Sequence, residues 1–246
     1  MSGLSFALSL VAASGLRVAS ADLCADEYAL LFVPRAQLVS VSHLSHDPHE
    51  TRLSKGARAI PANDGRIETL LSHEPDLVIT TRAPGETMRR IAQHKGIRIL
   101  QLPYAAYPDA VEANVRTVAR AVGAPGAASA WIKRLGSYRR RPPAEGGTVL
   151  WVDAAGVGST LAAPWLSLAG FTPVPVPQGR GRIEAVLTTK ADRLLVSDYR
   201  RGQYSRSSDW MRHPLLRKRA LPVTRIDGRA TTCGGPLMLD LVEALR

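Results

Sequence analysis

Two stretches of this chain, starting 116 residues apart, follow one plan. Glu68 to Ile79 reads ETLLSHEPDLVI, and Glu184 to Val196 reads EAVLTTKADRLLV. Each is a short helical pattern opened by a glutamate, then a turn carrying an aspartate (Asp76, Asp192), then an apolar run of buried-strand length. Two unrelated helix-to-strand units could coincide in this way, but their places in two matching halves favour duplication. A chain built so is confined to folds with two similar α/β units.

The surrounding pattern agrees. Leu16–Ala21, Leu38–Val41, Leu77–Thr80 and Arg98–Leu102 read as buried strands, and Asp26–Phe32, Arg66–His73, Glu86–His94 and Asp109–Val122 as helices with acidic first turns. The alternation restarts after a break. Thr148–Val152, Arg193–Val196 and Leu221–Ile226 read as strands, and Leu161–Leu168, Ile183–Thr188 and Pro236–Leu245 as helices. Ala127–Arg141 is helical in pattern and leads into Pro142-Pro143 and Gly146-Gly147, a connecting helix and linker. The expected fold class is α/β: two Rossmann-like lobes with mostly parallel sheets, joined by a single long connecting helix. The boundaries fall at 16–125 for the first lobe, 126–145 for the connector and 146–246 for the second lobe. A ligand site then belongs in the crevice between lobes, where strand carboxyl ends and helix N-termini converge.

Charge divides the halves. The net charge is +11, yet residues 1–125 carry 13 Lys+Arg against 12 Asp+Glu, and residues 126–246 carry 19 against 9. The basic second half lacks the aromatic interleaving and the motif of a nucleic-acid module, so no nucleic-acid partner is expected. An anionic ligand or an anionic membrane surface fits as well. Residues 1–15 hold no charged side chain, and Leu4–Ala13 is a short apolar run with small residues after it, which reads as a signal peptide. Cys24 and Cys233 belong to no CxxC or zinc pattern.

Beyond these patterns the chain resembles a family. The carrying segments are Arg17 to Tyr28 (RVASADLCADEY), Leu38 to Pro48 (LVSVSHLSHDP), the Glu68 and Glu74-Pro75-Asp76 region, Leu100 to Pro103, and Thr232 to Pro236 (TCGGP). From about residue 16 to 246 it is similar to the periplasmic substrate-binding proteins of ABC importers for cobalamin and ferric siderophores. The resemblance implies a monomer in the periplasm that is not an enzyme and needs no cofactor. It would capture a metal chelate, a ferric siderophore or a corrinoid, between the lobes and hand it to an ABC permease in the inner membrane. Glu68 and Glu184 match the surface glutamates that dock each lobe of family members on the permease; both also suit a helix first turn on dipole grounds alone.

The implied ligand contacts are Asp22, Leu23, Cys24, Asn63, Thr81, Arg82, Tyr104 and Tyr107 in the first lobe. In the second they are Trp151, Tyr199, Arg200, Thr232 and Cys233, with Arg201 beside them. Arginines there would grip carboxylates or phosphates. The sequence has Ala62 and Thr81 where cobalamin binders of the family carry aromatics. Cys24 and Cys233, in expected cleft loops on opposite lobes, would either pair across the hinge or stay separate thiols.

Other constellations carry less. His43, His46 and His49 sit in one loop with Asp47 and Glu50, a donor set suited to zinc or manganese, but a polar loop explains them more simply and no metal site is assigned. Gly156-Val157-Gly158-Ser159-Thr160 lies between a strand and a helix yet lacks the third glycine of a dinucleotide fingerprint and the Gly-Lys of a P-loop. No nucleophile elbow or Cys–His pair is present, so no catalytic residue is named. The runner-up is a cytosolic Rossmann-like enzyme acting on a nucleotide or anionic metabolite.

Overall fold

The computed structural model describes residues 15–141, 145–158, 161–176, 179, 181–200, 202–203, 206–217, 219 and 221–246. The leader stretch, Pro142-Pro143, Ser159, Thr160 and Arg201 lie outside them.

The first half alternates strand and helix as its apolar runs require: β1 (Val18–Ser20), α1 (Leu23–Phe32), β2 (Leu38–Ser42), α2 (Ser54–Ala57), β3 (Ala62–Asn63), α3 (Ile67–Leu71), β4 (Leu77–Thr80), α4 (Glu86–His94), β5 (Arg98–Gln101) and α5 (Pro108–Ala121). A connecting helix follows, α6 (Ser129–Arg140). The second half repeats the alternation with β6 (Thr148–Val152), α7 (Ala163–Leu168), β7 (Thr172–Pro173), α8 (Arg182–Thr188), β8 (Arg193–Asp198), α9 (Pro214–Arg217), β9 (Val223–Asp227) and α10 (Met238–Leu245). The sheets are parallel, in the orders β3-β2-β1-β4-β5 and β7-β6-β8-β9. In each, the strand order reverses direction once, between β1 and β4 and between β6 and β8.

The repeat read from sequence has a structural counterpart. Asp76 Oδ2 accepts from the backbone N–H of Arg17, immediately before β1, at 2.8 Å. Asp192 Oδ2 accepts from the backbone N–H of Thr148, which opens β6, at 2.6 Å. The backbone contacts match too: Asp76 N donates to Arg17 O at 2.8 Å and Asp192 N to Thr148 O at 3.1 Å. In both lobes the turn aspartate therefore pins the start of the neighbouring strand, and for Asp192 the Thr148 backbone and hydroxyl donors hold its carboxyl below the usual range.

One apolar cluster runs through both lobes, from Val18, Phe32 and Val115 through Trp131 to Trp165 and Met238. Helix α6, of 12 residues and about 18 Å long, is the strut of this cluster. Its Trp131 meets Phe32 edge to face at 6.3 Å and donates its indole N–H to Pro236 O at 3.1 Å. Arg134 reaches Asp240 on α10 at 2.8 Å. A continuous core of this kind resists wide separation of the lobes.

Candidate functional site

Ligand sites of open parallel sheets form at the carboxyl ends of strands where the order reverses. In the first lobe that crevice is filled by its own side chains. Asp22, which caps α1, accepts from Ala25 N (2.9 Å), Thr80 Oγ1 (2.9 Å), Thr81 N (2.8 Å) and Thr81 Oγ1 (2.6 Å). Asn63 donates to Ser20 O and Ser40 Oγ, both at 2.9 Å, and accepts from Gly65 N. Gly65 is needed there: φ is +78°, and a Cβ would lie 2.4 Å from Ala21 O. Asp22, Asn63 and Thr81 therefore tie the first-lobe loops together. Asp22 and Asn63 are buried, and the side-chain polar groups of all three are bonded within the lobe.

The second-lobe crevice stays open. A cavity of about 310 Å³ is lined by Trp151 of β6 and Asp153 after it, Ser197 of β8 and Tyr199 after it, and Gly228 and Thr231 after β9, with Thr232 on its wall. Trp151 is buried and donates to Asp153 Oδ2 at 2.8 Å. The other oxygen of Asp153 accepts from Ala155 N and Gly156 N, and Gly158 N donates to Trp151 O. Ala155, Gly156 and Gly158 thus spend their amides on their own chain. A further cavity of about 680 Å³ lies beside Trp151, walled by Val157, Leu161, Val174 and Val176.

The structure brings the lobes together along one edge. Cys24 and Cys233 form a disulfide with Cα atoms 5.2 Å apart, which settles the alternative left open by the sequence. Tyr199 OH donates to Glu50, and Arg200, held at φ +55°, bonds the other oxygen of Glu50 and lies 3.7 Å from Asp47. Arg229 donates to Pro48 O at 2.6 Å, and Arg52 lies 3.8 Å from Asp227. Tyr199 and Arg200 thus join the lobes through Glu50, and Arg200 also lines a cavity of about 370 Å³ with Pro48, His49, Arg225 and Arg229. Nothing in the sequence pattern paired Glu50 with residues 150 positions away, so its role was invisible there.

The remaining first-lobe residues face solvent. Tyr104 and Tyr107 are 76% and 63% exposed on the loop after β5, and Arg82 is exposed after β4. Its guanidinium has no partner among the described residues. Leu23 is half-buried at the start of α1. His43 and His46 direct ring nitrogens at Asn63 O (3.2 Å) and Ile60 O (3.0 Å). Among the described residues no group of three or more His, Cys, Asp or Glu side chains is placed to hold a metal ion.

Two carboxyls have strongly raised pKa values. Burial pushes Asp26 up to about 7 against the hydrogen bonds from Ser45 and Ser42, and pushes Glu27 up to about 8. Both are sealed in the core, away from either cavity, and so serve packing and not proton transfer. The second-lobe cavities offer an apolar wall, and the first-lobe loops after β4 and β5 offer an unpaired arginine and exposed tyrosines. That is the chemistry of holding a bulky, partly anionic ligand.

No protein family and no curated protein matches the chain by sequence. Solved structures do match its fold. The chain is similar to the periplasmic heme-binding protein HutB of Vibrio cholerae, at 17% identity over 94% of this chain and 97% of that one, with a TM-score of 0.71. It is similar to a periplasmic heme-binding protein from Pseudomonas aeruginosa, at 20% identity over 93% and 90%, TM-score 0.64. It is also similar to the periplasmic vitamin B12-binding protein BtuF of V. cholerae, at 18% identity over 94% and 95%, TM-score 0.60. At such identities the likeness shows the fold: two α/β lobes on a connecting helix.

Proposed function

We propose that this chain is the substrate-binding component of an ABC importer, working in the periplasm after removal of a leader near residue 15. It captures a metal chelate between the lobes and delivers it to a membrane permease. The observation that carries this reading is the open crevice of the second lobe, walled by Trp151 and lying in a fold shared with heme- and B12-binding proteins. A flat tetrapyrrole suits the site best, because the walls beside Trp151 are apolar and Tyr104, Tyr107 and Arg82 can meet its face and its carboxylates. The enzyme alternative is disfavoured, since the amides of Gly156 and Gly158 are bonded to their own chain and both carboxyls with raised pKa values are sealed in the core.

Tryptophan fluorescence tests the reading. Titration with heme, cobinamide, cobalamin and ferric siderophores should give saturable quenching by one class, and Trp151→Phe should remove most of that signal. No saturable quenching by any of the four would sink the proposal.

Glu68 and Glu184 support a docking role. Each is exposed, each sits in the first turn of the helix that precedes the pinning aspartate of its lobe, and neither side chain has a partner among the described residues. Two anchors at equivalent places let a permease read the lobe spacing. Charge reversal at both should abolish uptake and leave ligand affinity unchanged; uptake that survives both reversals removes these residues from the docking surface.

A further inference from the structure

The excess charge of the second half has no place in the crevice, because Arg200, Arg225 and Arg229 there are all paired with carboxylates. Part of it collects on the outside of the second sheet. Helix α8, the 3-10 turn Asp209–Arg212 and helix α9 pack on one another and cover the cluster of Leu150, Val152 and Val196. The Arg182 guanidinium stacks over the Trp210 ring at 5.9 Å, and Arg219 bonds Thr189 O at the end of α8, so these pieces form one layer. The layer turns Val186, Met211 and Leu216 inward. Its outer face presents Arg182, Lys190, Arg206 and Arg212, and the segment 206–219 carries five Lys+Arg against one Asp in sequence. Among these cations stand Leu187 and Leu215, 38% and 42% exposed.

We propose that this α8–α9 face rests on an anionic phospholipid surface. Cations alone would suit any polyanion, but exposed leucines set among arginines match the layered chemistry of a bilayer, headgroup phosphate outside and acyl chain beneath. A nucleic acid would offer the leucines nothing. The proposal deepens the transport reading and rests on it: Glu184 lies two residues from Arg182 in the same first turn, so a lobe docked on a permease through Glu184 brings this face to the lipid beside it. The first half, with its near-balanced charge, supplies no equivalent. Each cation near such a surface is worth about a fivefold change in partitioning, which makes the contact weak and reversible, as a shuttle requires.

The test is co-sedimentation of the full chain with vesicles of phosphatidylglycerol and phosphatidylcholine, against phosphatidylcholine alone. Binding should need the anionic lipid and disappear near 1 M salt, where screening acts over about 3 Å. Arg206→Ala/Arg212→Ala should weaken it about 30-fold with heme quenching intact. Lys190→Glu/Leu215→Ser, which leaves the Arg182–Trp210 stack alone, guards against a folding artefact and should weaken it as well. No binding to anionic vesicles at 0.1 M salt, wild-type-level binding by both variants, or DNA retention exceeding lipid retention would each overturn the proposal. Loss of heme quenching with lipid binding retained would instead count against the transport reading alone.

Discussion

Asp26 and Glu27 are adjacent on α1, yet each is buried on a different side of it. Asp26 accepts from Ser42 N (3.1 Å) and Ser45 Oγ (2.6 Å), which fixes the loop after β2. Glu27 accepts from Leu237 N at 3.5 Å and lies against Gly235, where a Cβ would come within 2.5 Å of its Oε2. Gly235 is therefore a packing requirement of a buried carboxyl on the other lobe. Desolvation dominates both sites, aided by the like charges of Asp22 at Asp26 and Asp240 at Glu27. Unfolded, these acids titrate near pH 4; folded, they hold their protons to about 7 and 8. Between those limits the native state binds more protons than the unfolded one, so stability is full below pH 4 and falls as pH rises through 7 to 8. The loss is on the order of 4 kcal/mol for either site. Urea midpoints should decline from pH 5 to 8, and Asp26→Asn/Glu27→Gln should flatten the profile. A wild-type midpoint that rises over that range would refute the assignment.

Asp76 and Asp192 are one device used twice, holding a strand start from a turn eight residues beyond a helix-opening glutamate. Asp76→Ala and Asp192→Ala should each lower the urea midpoint, and because the two turns are in separate lobes the effects should add. A midpoint unmoved by either substitution would reduce the repeat to coincidence. This device was legible in sequence because it is local: a helix period, a turn and an apolar run specify it without distant partners. The same holds for β4, α4 and β6, whose limits match their apolar patterns residue for residue. The two-residue strands β3 and β7 left no pattern, being too short for periodicity. The site was harder still. Asp22 and Thr81 directly follow expected strands and Asn63 lies in the unpatterned β3, and whether such a side chain faces ligand or neighbour depends on contacts 40 to 60 residues away.

Taken together, the ties between lobes are lopsided. The disulfide, the Glu50 clasp, Arg229 on Pro48 and Arg52 near Asp227 all join the start of α1 and the loop after β2 to the loops after β8 and β9. Among the described residues no hydrogen bond or ion pair links the loops bearing Arg82, Tyr104 and Tyr107 to the second lobe. Opening must then pivot about the stitched edge, with the tyrosines at the free mouth. Cys24–Cys233 closes a loop with a sequence separation of 209, for which chain entropy allows a stabilisation of up to about 5 kcal/mol. Cys24→Ser/Cys233→Ser should therefore lower the unfolding free energy toward that limit, and under the proposed function it should also speed release of the bound chelate, because the pivot loses its covalent pin. The ion pairs on the same edge remain, so the variant should still bind. Mass spectrometry without reductant should find no thiol to alkylate in the native chain. Two labelled cysteines would remove the pin, and with it the reason for the cleft to open from one side.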